Sequence, residues 1–313
     1  MNNLKTVSAF APATVANVSC GFDIMGFALE GCGDKVCITL DADLEDDKVM
    51  LSGAYADFIP ADRQRNTAGV AINAFLKAYG NENLKLSIAL EKNMPLGSGM
   101  GSSASSSAAS VFALNHLLGN PFSIHELIPF AMEGERIACG SAHADNVAPA
   151  LLGGFVLIRS YHPLDIISVP CPDDLFCTVV HPHIELQTKD ARRILKNDIS
   201  IQDAIRQSAN TASFMLALLQ KDYNLMGRSM QDLLAEPKRT QLIPGFVNAK
   251  KYALDAGAIG CGISGSGPSV FALCRYKSTA MQVAKEIEKG FSEVGLKCDA
   301  LVSPLNVAGS CIL

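Results

Sequence analysis

Between Asn93 and Ser110 the chain reads NMPLGSGMGSSASSSAAS. Glycines at 97, 99 and 101 alternate with Ser98 and Met100, and Ser102 and Ser103 follow. Such a loop can hold an anion. Gly97, Gly99 and Gly101 let the backbone take positive φ and approach a phosphate closely. Successive N–H groups then form a nest for its oxygens. A helix starting directly after the loop adds a positive end of about half an elementary charge. The loop itself has no lysine. A hydroxyl of Ser102 or Ser103 can also ligate Mg²⁺. The plain structural alternative is a tight turn leading into a serine-capped helix.

Competing motifs are absent or out of place. No GxxxxGK[ST] occurs, which excludes a P-loop, and no GxSxG nucleophile elbow is found. GCGISG at residues 260–265 matches GxGxxG, but it follows a helical pattern and precedes a strand. That order is wrong for a dinucleotide fingerprint.

The elements that must position the loop are legible around it. Leu84, Leu86, Ile88 and Leu90 alternate with Lys85, Ser87, Ala89 and Glu91. That is a period-2 strand running into the loop. Residues 104–118 read as a helix of small residues behind it. Val70, Phe75 and Leu76 give residues 67–79 a helical apolar face. Further helices are expected over residues 123–138, with Pro129 and Gly134 as candidate breaks, and over 201–219, 245–256 and 279–294, with shorter pieces around Gly227 and Pro237. Strands are expected over residues 4–10, 36–40, 151–159, 176–180, 270–274 and 299–303. An irregular loop is expected over 11–23 and an acidic turn over 41–48. Pro163, Pro170 and Pro172 mark a boundary, dividing the chain into residues 1–165 and 166–313. The mixture is α+β in two halves, with no internal repeat.

Composition narrows the function classes. The 313 residues are 49% apolar and 18% charged, a globular composition with enough chain for a real core. The net charge of -5 comes without a basic cluster, so no nucleic-acid partner is expected. The N-terminus has no secretory pattern and no run approaches the ~18–20 apolar residues of a membrane span, so no membrane association is expected. The 10 cysteines include no CxxC pair, and several sit inside apolar runs. Buried free thiols in a reducing cytoplasm are the expectation.

Three stretches together carry a resemblance. PLGSGMGSSAS at the loop resembles the second signature of the GHMP small-molecule kinases; GISGSGPSVFAL at residues 262–273 resembles the third, and APATVANVSCGFDIMGFAL at residues 11–29 the first. GSAHADNVAP (residues 140–149), TKDARRIL (188–195) and AEPKRTQLIPGF (235–246) sharpen it toward the homoserine kinase branch. These stretches run in family order across nearly the whole chain. Met100 departs from the family's usual leucine, an apolar exchange. The resemblance implies an N-terminal domain similar to ribosomal protein S5 domain 2, a ferredoxin-like C-terminal domain and a cleft between them. It implies ATP and Mg²⁺ as cofactors, transfer of phosphate to the hydroxyl of L-homoserine in threonine biosynthesis, and a homodimer. Another GHMP kinase, or a non-catalytic nucleotide-binding relative, is the alternative.

Residue roles follow from the same resemblance. Pro95, Leu96, Gly97, Ser98, Gly99, Met100, Gly101, Ser102 and Ser103 would bind nucleotide, with Asn66 facing it. Ser103 and Glu135 would hold Mg²⁺, Glu133 being the competing carboxylate. Asp23 with Asn17 would take the ammonium, although Asp23 could instead cap a helix starting at Ile24. Arg192 and Arg239 would grip the carboxylate bidentately. Thr188, His143 (between Ser141 and Asn146) and Gly265 complete the substrate set. Asn146 would orient the hydroxyl, with Asp145 as its rival. Asparagine is no base, but phosphoryl transfer through a loose transition state can proceed on positioning and charge neutralisation.

Overall fold

Apolar alternation carries the first strand well past residue 10. In the computed structural model, which describes residues 5–41, 43–44, 49–140, 142–195 and 198–313, β1 spans Thr6–Ala16. The expected loop over 11–23 therefore begins only after Ala16. Ala9, Ala11, Ala13 and Val15 are fully buried on this strand. Pro12 lies opposite Gly33 where the pairing register shifts. A proline costs no ladder bond at such an irregularity.

The remaining elements are, in chain order, β2 (Met25–Leu40), β3 (Val49–Ser52), α1 (Thr67–Tyr79), β4 (Leu86–Glu91), α2 (Ser102–Leu117), α3 (Ile124–Cys139), α4 (Ala144–Leu152), β5 (Phe155–Tyr161), β6 (Leu164–Val169), β7 (Leu175–Pro182), α5 (Thr188–Arg193), α6 (Ile201–Gln220), α7 (Tyr223–Ser229), α8 (Glu236–Arg239), α9 (Phe246–Asp255), β8 (Gly260–Ile263), β9 (Val270–Arg275), α10 (Lys277–Ser292), β10 (Cys298–Pro304) and β11 (Cys311–Ile312). The acidic turn expected over 41–48 lies mostly outside the described residues.

Two sheets organise these elements. The first runs β11-β1-β2-β4-β3, with β5 on β2 and β6 on β5. Helices α1 to α4 cover it through a core that includes Val36, Ile38, Ile72, Phe75, Leu114 and Ile128. The second sheet is antiparallel in the order β10-β7-β9-β8. Helices α9 and α10 pack together against it, and with them as its two helices the sheet has the ferredoxin-like arrangement. The expected division at 165/166 falls inside β6, which pairs with β5 in the first sheet. A shared core joins the halves. Phe27 and Phe155 of the first sheet stack at 6.0 Å, Phe271 of the second meets Phe27 edge-on at 6.3 Å, and Phe214 of α6 lies 6.1 Å from Phe155. Truncating a buried phenylalanine here would cost about 3–5 kcal/mol.

Several local expectations change for identifiable reasons. α3 is not broken at Pro129 or Gly134. A capping box of Ser123 and Glu126 starts it, and Leu127, Ile128 and Ala131 bury one face. The carbonyl that Pro129 leaves unpaired belongs to exposed His125, where water serves. Leu151 and Leu152 close α4 rather than opening a strand, and β6 and β8 are strands where none was expected. β8 is short and glycine-bearing, so periodicity had little to show.

Gly134 has a packing reason. A Cβ there would lie 2.2 Å from Ser107 Oγ of α2 and 2.5 Å from the Thr67 carbonyl of α1. In an exposed helix, Gly→Ala gains about 1 kcal/mol. Here the sign should reverse: Gly134→Ala is expected to destabilise by about 1–3 kcal/mol through overpacking, read as a lower urea midpoint. A higher midpoint would show that α1, α2 and α3 do not pack this closely.

Candidate active site

β4 delivers the chain to the loop and α2 carries it away, so the loop is pinned at both ends. Beneath it lies a lysine that the reading of the loop overlooked. Lys92, only 2% exposed, pairs with fully buried Asp34 of β2. Its ammonium also donates to the Ser102 carbonyl at 2.7 Å and to Ser106 Oγ at 2.8 Å. The other Asp34 oxygen accepts from Asn93 N at 2.9 Å. Burial lowers the Lys92 pKa, and Asp34 opposes that shift. Lys92 at the exit of a buried strand was the available sequence signal.

Four carbonyls of the loop are already engaged. Gly97 O accepts from Leu186 N (3.3 Å), Ser98 O from Ser269 N (3.1 Å) and Met100 O from Thr14 N (3.0 Å). Gly99 O accepts from Ser264 Oγ at 2.7 Å. Gly97, Gly99 and Gly101 have φ of 58°, 78° and 67°, where a side chain would be strained. At Gly99 a Cβ would also come within 2.4 Å of the Ser264 carbonyl. Gly101 caps α2 in the left-handed region and no side chain caps that helix end. The amides of its first turn are thus the groups an anion would meet.

A cleft of about 400 Å³ opens above the loop between the two halves. Leu96, Gly97, Ser98, Gly99, Gly101, Ser102, Ser103, Asn66, Glu135, Asn146, Asn17, Asp23, His143, Thr188, Arg192, Arg239 and Gly265 all line it. Pro95 and Met100 do not. The Met100 side chain is 6% exposed in the shared core, so its part in the loop is through its backbone. Asn66 lines the cleft with both polar atoms engaged: its oxygen caps α1 at Ala68 N (3.0 Å) and its amide donates to Pro60 O (2.8 Å). Phe58, Ile59, Pro60 and Ile137 make that end of the cleft apolar.

At the loop end, Ser103 Oγ donates to Glu135 Oε2 at 2.7 Å. The neighbouring Ser102 hydroxyl is turned to the Met94 carbonyl at 3.2 Å. Glu135 is 6% exposed. Glu133, two residues earlier on α3, faces outward and pairs with Arg136 at 3.1 Å. Ser103 and Glu135 offer hard oxygens beside the anion-facing helix end, a donor set that suits Mg²⁺. Among the described residues no group of three or more His, Cys, Asp or Glu side chains gathers for a metal. Any ion here would need most of its ligands from a bound phosphate and water.

The opposite end is charged and tightly built. Asn17, Val18, Ser19 and Asp23 all have positive φ, from 41° to 71°. Each such residue costs of order 1–3 kcal/mol and persists only where its surroundings enforce it. The enforcing bonds are visible. Gln207 Nε2 and Thr211 Oγ1 of α6 both donate to Cys20 O at 2.8 Å. Tyr161 OH donates to Asp23 O at 2.8 Å, and Asn17 Oδ1 accepts from Asp23 N at 2.9 Å. No helix starts at Ile24, so Asp23 caps nothing. Instead its carboxylate faces Arg192, whose Nη1 donates to Oδ1 at 3.1 Å. Arg239, 3% exposed, donates to Gly265 O at 2.9 Å. His143 Nδ1 lies 3.8 Å from Asp23 Oδ1. Burial pushes the His143 pKa down against the pull of Asp23, so the ring is neutral near pH 7. Ser141, its neighbour in the motif, lies outside the described residues. Thr188 Oγ1 meets Ser266 Oγ at 3.1 Å.

Asn146 and Asp145 stand between the two ends. Asn146 Oδ1 accepts from Thr14 Oγ1 at 2.8 Å, which leaves its amide N–H groups for the cleft. Asp145 is 3% exposed, with Oδ1 buried and without a partner. Burial, with Asp23 and Glu135 nearby, pushes its carboxyl up to about 8. Gln207, Tyr161 and Lys92 support the site without having been singled out in the sequence, because their partners come from distant elements.

This geometry has relatives. The model of the GHMP kinases N terminal domain matches residues 66–154, and that of the GHMP kinases C terminal matches residues 214–293. A homoserine kinase of Chlorobium phaeobacteroides is 48% identical, covering 99% of this chain and 100% of its own. One from Xanthomonas campestris is 38% identical, over 97% of this chain and 92% of that one. The crystal structure of homoserine kinase from Cytophaga hutchinsonii superposes with a TM-score of 0.94 at 48% identity, over 100% of this chain and 99% of that one. With both family models in order and such identity along its whole length, the chain belongs to the GHMP kinase family, among the homoserine kinases.

Proposed function

We propose that this chain transfers the terminal phosphoryl group of ATP, held with Mg²⁺, to the side-chain hydroxyl of L-homoserine, giving O-phospho-L-homoserine on the route to threonine. The supporting observation is one cleft that joins an amide-lined loop at one end to Asp23, Arg192 and Arg239 at the other. A triphosphate suits the first end. The second suits an ammonium and a carboxylate on one small molecule. The apolar surface at Phe58 and Ile137 would take the base of the nucleotide. The free thiols of the described cysteines fit the cytoplasm.

Within this reading the loop amides and the first turn of α2 hold the phosphates, and Ser103 and Glu135 hold Mg²⁺. That ion supplies charge neutralisation at the phosphates. Asn146 donates to the substrate hydroxyl and fixes its direction. Burial pushes the Asp145 carboxyl up to about 8, which favours its protonated form at neutral pH. Positioning and electrostatics then carry the reaction.

The direct test is ADP release across L-homoserine, L-serine, mevalonate and galactose. Homoserine is expected to give the largest kcat/KM; a larger value with mevalonate or galactose would contradict the amino-acid site. Glu135→Gln is expected to lower kcat about 100-fold or more, while Glu133→Gln stays within about two-fold of the parent. Equal losses would remove Glu135 from the metal role.

Asp145 gives a pH test. Its folded pKa is raised, so the stability it contributes is fully present below 3.8 and is lost as pH rises through about 8. Asp145→Asn does not titrate. Urea melts at about pH 5 and about pH 8 should show the parent losing more stability than the variant. Equal losses would mean Asp145 is ionised throughout.

A further inference from the structure

The two arginines of the cleft are held differently. Arg239 is fixed: it is 3% exposed, its Nη1 donates to Gly265 O at 2.9 Å and its Nε to Ala191 O at 3.3 Å. Arg192 comes from the short helix α5 with its side chain 32% exposed. Its guanidinium is spent on Asp23, Nη1 donating to Oδ1 at 3.1 Å and Nη2 to Oδ2. The Phe22 ring sits under both arginines, 5.5 Å from each guanidinium carbon, and keeps them side by side. The groups assigned to the two charges of the substrate are therefore already each other's partner.

We propose that the Asp23–Arg192 pair sets the selectivity of the amino-acid site by partner exchange. This rests on reading the cleft as the site of an amino acid. A ligand with both an ammonium and a carboxylate gives Asp23 and Arg192 a new partner each, so every charge stays matched. A ligand with the carboxylate alone must either leave Arg192 where it is or strand Asp23. His143, whose Nδ1 lies 3.8 Å from Asp23 Oδ1, is a poorer cation than Arg192, because burial lowers its pKa. A ligand with the ammonium alone meets the mirror problem, stranding Arg192. Leaving a half-buried charge unpaired is the larger cost in such exchanges, so single-charge analogues are rejected even though one of their contacts is available.

The test is a gain of binding. γ-Hydroxybutyrate, the deaminated analogue, is titrated calorimetrically into the parent, Asp23→Asn, and the double variant Asp23→Asn with Arg192→Leu. Asp23→Asn releases Arg192 and is expected to bind γ-hydroxybutyrate about 3- to 10-fold tighter than the parent. The double variant should lose that gain. An unchanged affinity in Asp23→Asn overturns the proposal. So does a gain that survives removal of Arg192, which would be plain relief of repulsion between two carboxylates. The reciprocal measurement uses Arg192→Leu with the decarboxylated amino alcohol, expected to bind tighter than to the parent, and stands alone if Asp23→Asn does not fold. Nucleotide affinity at the parent's level certifies each variant. A parent that turns over mevalonate or galactose but not homoserine would fail the reading of the site itself, a result distinct from all of these.

Discussion

One buried ion pair holds the cleft in order. Asp34 lies in the middle of β2 and Lys92 at the end of β4, and between them they take hold of the loop where it begins, at Asn93, and where it turns into a helix, at Ser102. Removing one partner of such a pair strands a charge in the interior, at a cost of about 3–5 kcal/mol. The same contact aims the open end of α2 into the cleft. A phosphate loop without its own lysine therefore rests on one, placed below the backbone and neutralised by a carboxylate.

The second constraint comes from across the cleft. The strained turn from Asn17 to Asp23 belongs to the first sheet by sequence, yet Gln207 and Thr211 of α6 hold its Cys20 carbonyl. Gln207 Oε1 also accepts from Leu233 N at 3.0 Å, just before the helix that carries Arg239. The carboxylate and the arginine are thus located by one side chain. The phenylalanine cluster behind them makes the two halves a single packed body, so positions set on one half are meaningful on the other.

What the sequence disclosed follows the same division. The period-2 strand ending at Glu91, the helix over Thr67–Tyr79 and the glycine loop are local patterns and could be read directly. Site residues such as Asp23, Glu135 and Arg239 came through short motifs whose neighbours carried the recognition. Lys92, Gln207 and Tyr161 stayed hidden because each acts on residues far along the chain: 58 positions separate Lys92 from Asp34, and 187 separate Gln207 from Cys20. β1 runs on past residue 10 because the register shift beside Pro12 accommodates a proline, and only the pairing with β2 shows that irregularity. Glu133 and Glu135 could not be told apart by spacing; the facing of α3 separates them.

In the proposed reaction the loop end and the charged end of the cleft meet on one hydroxyl. Phosphorus NMR of the protein with ATP, Mg²⁺ and L-homoserine tests it most directly. A phosphomonoester signal coupled to the side-chain methylene protons of homoserine is expected, growing in step with ADP. Phosphate released to water without that signal, or phosphate carried on the carboxylate or amine, would contradict it.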